Sequence, residues 1–209
     1  MKGLFPLAAL FLFSCTANRL TSSWTASTAG VTTYQKIMVV GVIQNEDSLM
    51  RREMEAHMVS DLKSIGYNAV AFTESFGSNE FRLMRYDSVR KKLLEQGIDG
   101  VITINLLAKE KEQVYVKDKI NVKPDNTPLG SFWEAPVTVK QDIGKPGYYV
   151  TNSQYYWESR FYDVSSVALL YAAQSTAFDV SSTQSLAHKY GKTIVNDLQK
   201  NYVLTAKNN

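Results

Sequence analysis

The chain has 209 residues, 21% charged and 44% hydrophobic, and its 23 basic and 20 acidic residues leave a net charge of +3. That length suits one ordinary domain with its own core, and charges so scattered and nearly balanced give nucleic-acid binding no electrostatic support. One cysteine and two histidines rule out an intrachain disulfide and leave any zinc site, which needs three or four ligands, to be assembled mainly from carboxylates.

At the N-terminus, Lys2 precedes an apolar run from Leu4 to Phe13 that stops at Ser14 and Cys15. One basic residue and about ten apolar residues make a secretory signal; a membrane span takes roughly 20. Leu12-Phe13-Ser14-Cys15 resembles the lipobox of bacterial lipoproteins, in which the cysteine becomes the lipidated N-terminus. Phe13 departs from that pattern in its bulk. The rival is an ordinary secreted protein with a chance cysteine near its cleavage site. The expected organisation is a signal peptide over 1–14, a flexible Ser/Thr-rich tether over 15–33, one α/β domain over 34–204 and a frayed tail over 205–209. Thr16 to Thr33 holds little to bury, and as a flexible chain would have an r.m.s. reach of about 20–25 Å. Trp24 in this tether either folds back onto the domain or sits near the lipid surface.

Ile37 to Ile43 is a continuous β-rich apolar run, the pattern of a strand buried on both faces. Asp47 and Ser48 are expected to cap a helix, in which Met50, Met54, Met58, Leu62 and Ile65 recur on one face. Gly66 ends it, because glycine takes the left-handed conformation cheaply. Tyr67 to Phe72 is the second strand and Thr73 to Glu80 a loop. A second helix runs from near Asp87 to Gln96, with Val89, Leu93 and Leu94 inward and Gly97 as its cap, and Val101 to Leu107 is the third strand. Joints this short imply parallel pairing, most economically with the first strand between the second and third.

After Ala108 the character changes. Val114 to Val116 reads as a strand end or hairpin, and Lys119 to Gly147, with four of the five prolines, as a long loop of the kind that is often functional. Tyr148–Tyr162 and Val167–Phe178 read as antiparallel strands joined at Asp163 to Ser166. On the first, Tyr155, Trp157, Ser159 and Phe161 face one way and Tyr156, Glu158, Arg160 and Tyr162 the other. A last helix runs from about Ser182 to Lys200 with Leu186, Tyr190, Ile194, Leu198 and Tyr202 as its stripe, and Val203 and Leu204 dock after it. The fold class is mixed α/β: a parallel β-α-β-α-β core, antiparallel C-terminal strands and a packing C-terminal helix.

The lipobox-like start, the strand Lys36-Ile37-Met38-Val39-Val40-Gly41-Val42, then Gly97-Ile98-Asp99-Gly100-Val101-Ile102, Arg160-Phe161-Tyr162-Asp163-Val164 and Leu169-Leu170-Tyr171-Ala172-Ala173 together resemble a group of bacterial envelope lipoproteins. Their α/β domain is similar to the N-terminal domain of TolB and to curli-secretion lipoproteins. The resemblance is one of pattern and order from residue 15 to about 204. It implies an envelope accessory role through binding or assembly.

The sequence carries no glycine-rich phosphate loop after the first strand, no Walker loop and no nucleophile elbow, so no cofactor is expected. His57 reads as a boundary residue and His188 as solvated. In open α/β sheets ligands sit beyond the carboxyl ends of the strands, which singles out Gln44, Asn45, Glu46, Arg51 and Asn105, with Thr73 and Glu74 nearby. A plainer reading is a turn, a helix cap and a solvated helix face. The second candidate surface is aromatic, led by Phe132 and Trp133 in the proline-bounded loop; Tyr155 and Trp157 read more simply as core. Asp99 is expected to fix the turn into the third strand. The expectation is a non-enzymatic lipoprotein, anchored to an envelope membrane through Cys15 and facing the periplasm, with an envelope protein as partner and no nucleic acid. A glycan- or lipid-binding module is the alternative, and a hydrolase using Glu46 and Glu74 the third.

Overall fold

The computed structural model describes residues 20–29, 33–44, 47–77, 80–81, 83–110, 114–115, 149–150, 154–175, 178–179 and 182–207. Its elements are β1 (Leu20–Thr25), β2 (Lys36–Val42), α1 (Ser48–Ser64), β3 (Asn68–Ala71), α2 (Phe72–Ser75), α3 (Tyr86–Glu95), β4 (Gly100–Glu110), β5 (Val114–Tyr115), β6 (Tyr149–Val150), β7 (Gln154–Asp163), β8 (Ala168–Ser175), β9 (Phe178–Asp179) and α4 (Thr183–Lys200).

The main sheet has the order β1-β8-β7-β4-β2-β3, with β9 pairing β7; β5 and β6 form a separate pair. β2 is parallel to both β3 and β4, and β7 and β8 extend the sheet antiparallel from β4. The mixed α/β architecture and the central place of the 37–43 strand are therefore as expected. One core lies between the sheet and the α1–α4 pair, built on Ile37, Val39, Met54, Met58, Leu62, Trp157, Phe161, Tyr190 and Ile194. A second, smaller core lies on the other face under α3, around Met38, Val40, Val89, Leu93 and Tyr162.

Glycines stand at the joints for identifiable reasons. Gly66 and Gly97 have φ of +90° and +71°, the left-handed region closed to most side chains. At Gly41 a Cβ would lie 2.7 Å from Cγ of Arg51, so the missing side chain lets α1 press onto β2. Asp99 does more than fix a turn: its carboxylate accepts the backbone N–H groups of Gln35 at 2.7 Å and Lys36 at 3.0 Å, tying the start of β2 to that of β4.

Several expectations about these elements need correction. The segment read as flexible tether contributes β1, an edge strand paired antiparallel to β8; weak apolar content hid a strand that is held by backbone hydrogen bonds and not by burial. Trp24 lies in this strand, 39% exposed. The tail read as frayed is fastened by Tyr67 Oη donating to the Thr205 carbonyl at 3.0 Å and Lys207 Nζ donating to the Tyr34 carbonyl at 2.6 Å. Leu94 and Tyr202, placed inward by periodicity, are exposed; Tyr202 follows the end of α4 and turns out at φ +56°. Thr73 to Ser75, read as loop, belongs to the short helix α2. The loop over 119–147 lies outside the described residues.

Candidate functional site

The carboxyl ends of β2, β3 and β4 lie at one end of the sheet, where α1 and α2 begin. The group that organises this place is Glu55, which the sequence reading passed over. Glu55 is fully buried on α1. Its Oε1 accepts the Gly41 backbone N–H at 2.8 Å, and its Oε2 accepts both the backbone N–H and the hydroxyl of Thr73 at 2.9 and 2.6 Å. One carboxylate thus joins β2, α1 and the start of α2. Burial pushes its pKa up, against the pull of the Thr73 and Gly41 hydrogen bonds and the Arg51 charge. The sequence does carry a signal: Arg51, Glu55, Met58 and Leu62 recur at helical spacing, placing an i,i+4 ion-pair set on an apolar face.

Arg51 is buried against Gly41, not on a solvated face. Asp47 precedes α1 but makes no side-chain cap; it accepts from Lys109 Nζ of β4 at 2.8 Å instead. Gln44 and Glu74 are exposed. Asn105 is buried on the α3 side of the sheet, alternating with Ile102 and Ile104 of the other core, so the sheet separates it from Arg51. Cys15, Asn45, Glu46, Phe132 and Trp133 lie outside the described residues.

Asn105 belongs to a second polar group. One register row crosses β8, β7 and β4 through Gln174, Glu158 and Asn105, and Arg160 and Thr103 lie on the same face; all five are buried. Arg160 Nε donates to Glu158 Oε1 at 2.5 Å and Gln174 Nε2 to Glu158 Oε2 at 3.0 Å. Asn105 Nδ2 donates to Thr103 Oγ1 at 3.1 Å. Burial works against the Arg160 charge, but Glu158 and Tyr162 outweigh it and hold its pKa above the ordinary value. Gln174 Oε1 has no hydrogen-bond partner among the described residues. The alternation of Glu158 and Arg160 with apolar residues was legible in the sequence; that the row would be buried was not.

Tyr155 and Trp157 fill core, their rings stacked 6.2 Å apart, with Trp157 meeting Tyr190 at 5.7 Å. The two histidines, distant in sequence, meet at the α1–α4 seam with ring centroids 5.8 Å apart. His57 is half-buried and His188 exposed. Asp61 beside them is pushed up by burial, against the pull of His188, His57 and Lys192. Among the described residues no group of three His, Cys, Asp or Glu side chains could hold a metal ion, and no helix is long and apolar enough to cross a membrane.

The fold defines a mixed α/β sheet protein. No family model matches the chain, and no curated protein matches it. Among solved structures it is similar to the PelC dodecamer from Paraburkholderia phytofirmans in two crystal forms. One is 12% identical with a TM-score of 0.44, covering 85% of this chain and 98% of that one. The other is 13% identical with a TM-score of 0.44, covering 87% and 95%. A likeness this slight carries no argument.

Proposed function

We propose that this chain is a lipid-anchored accessory of a bacterial cell envelope, non-enzymatic, supporting assembly or transport by contact with another envelope protein. The observation that carries this reading is how the inner carboxylates, two of them buried, are used. Glu55, Glu158 and Asp99 spend their carboxylate oxygens on internal hydrogen bonds, joining elements instead of converging on a shared open space. Carboxylates so engaged hold a scaffold rigid, and a rigid scaffold serves to present surfaces. The lipobox-like Leu12 to Cys15 supplies the anchor.

The test is a crosslinked pull-down of the tagged full chain from its native envelope, beside Cys15→Ala and the Phe132→Ala, Trp133→Ala double variant. The reading expects a stoichiometric protein partner that is lost without the anchor and weakened by the aromatic substitutions. Membrane-bound protein with no protein partner would refute it.

A further inference from the structure

β1 begins only five residues after Cys15. At 3.3–3.6 Å per residue that stretch spans at most about 18 Å, against about 36 Å for the eleven residues of β4. An acylated Cys15 therefore keeps the start of β1 close to the bilayer. Leu20 pairs Ser175 at the end of β8, and the register carries that level across Glu158 of β7 to Asn105 in the middle of β4 and Val42 at the carboxyl end of β2, with β4 and β7 running on past it to the Glu110–Gln154 pair. The anchored end of the domain is thus the end where the crossover helices α1 and α3 start.

Reach alone permits the domain to stand on that end or to lie on one face. The exposed apolar side chains separate these. Leu49, in the first turn of α1, is 58% exposed, and Leu83, just before α3, is 96% exposed with Tyr86 beside it at 49%. α1 and α3 pack on opposite faces of the sheet, so only an upright domain brings both leucines to one plane. Leu94, in the last turn of α3, and Tyr202, just past the end of α4, lie at the other end. Aliphatic side chains flanked by a tyrosine suit the boundary between acyl chains and headgroups.

We propose that the end carrying Leu49, Leu83 and Tyr86 docks on the bilayer to which the chain's own Cys15 is anchored, leaving the ends of α3 and α4 to face a partner. This rests on the lipoprotein reading above. The experiment uses the full acylated chain in vesicles of phosphatidylethanolamine and phosphatidylglycerol containing spin-labelled lipid. Acylation blocks the single native thiol, so Leu49→Cys, Leu83→Cys and Lys200→Cys each offer one site for a fluorophore. The expected result is quenching at positions 49 and 83 and none at 200. Quenching at only one of the two leucine positions, at 200, or at none overturns the docking while leaving the anchor reading intact. Mass analysis of the mature N-terminal peptide is the separate arm: an unmodified Cys15 overturns both.

Discussion

Replacing Glu55 tests whether one buried carboxylate holds the carboxyl ends of the parallel strands. Glu55→Ala leaves the Gly41 N–H, the Thr73 N–H and the Thr73 hydroxyl without their acceptor. A buried donor left unmet costs about 1–3 kcal/mol. Thr73 is half-buried and can recruit water, whereas Gly41 is buried, so the expected loss is about 2–4 kcal/mol. In a domain of this size that lowers Tm by about 10 °C. Glu55→Gln keeps one acceptor but turns an NH2 group toward the Thr73 N–H, for a loss of about 1–2 kcal/mol. The pH dependence has a definite sign. Burial raises the folded pKa above the ordinary value of 4.5, so the folded state holds this proton more tightly. The group's contribution to stability is full below 4.5 and is lost as pH rises through the folded value. Glutamine does not titrate, so the penalty of Glu55→Gln is greatest in acid and shrinks toward neutral pH. Urea unfolding followed by circular dichroism from about pH 4 to pH 8 reads both effects. An alanine variant within about 0.5 kcal/mol of the parent, or a glutamine penalty that grows with pH, would refute the reasoning.

Three further outcomes are expected. Gly97→Ala meets only backbone strain, with nothing within 4 Å of the new Cβ, and should cost about 1 kcal/mol. Gly66→Ala adds a collision with Lys207, at 2.8 Å from its Cβ and 2.9 Å from its carbonyl, and should cost about 2–3 kcal/mol; equal losses in parallel thermal melts would mean the tail is not docked. Arg160→Met alone strands Glu158 in the sheet and should cost about 3–5 kcal/mol, whereas Glu158→Leu with Arg160→Met should cost less than that single change; a double-mutant cycle in urea showing simple additivity would count against it. Gly191→Ala places a Cβ 2.5 Å from Asp61 Oδ2, at the tip of a side chain that can swing aside, with the Met58 backbone in ordinary contact at 3.4 Å, so the cost should be only about 1 kcal/mol in a denaturant titration, and a loss above about 3 kcal/mol would refute that packing.

Much of this fold is written in local periodicity. The apolar run at Ile37–Ile43, the methionine stripe of α1, the glycine joints at 66 and 97 and the four-residue spacing in α4 each act within a few residues, so the mixed α/β core and the neighbours of its central strand could be read before any coordinates. Other features depend on which distant segments meet. Residues 20–25 form a strand only because the open edge of β8 accepts their backbone. Arg51 and Asn105 part company because helical and strand periodicity direct them to opposite faces of the sheet. Glu55 becomes the organising carboxylate of the strand ends only when Gly41 and Thr73 converge on it. Local spacing fixes which way a side chain faces, but burial and hydrogen-bond partners are properties of the assembled chain.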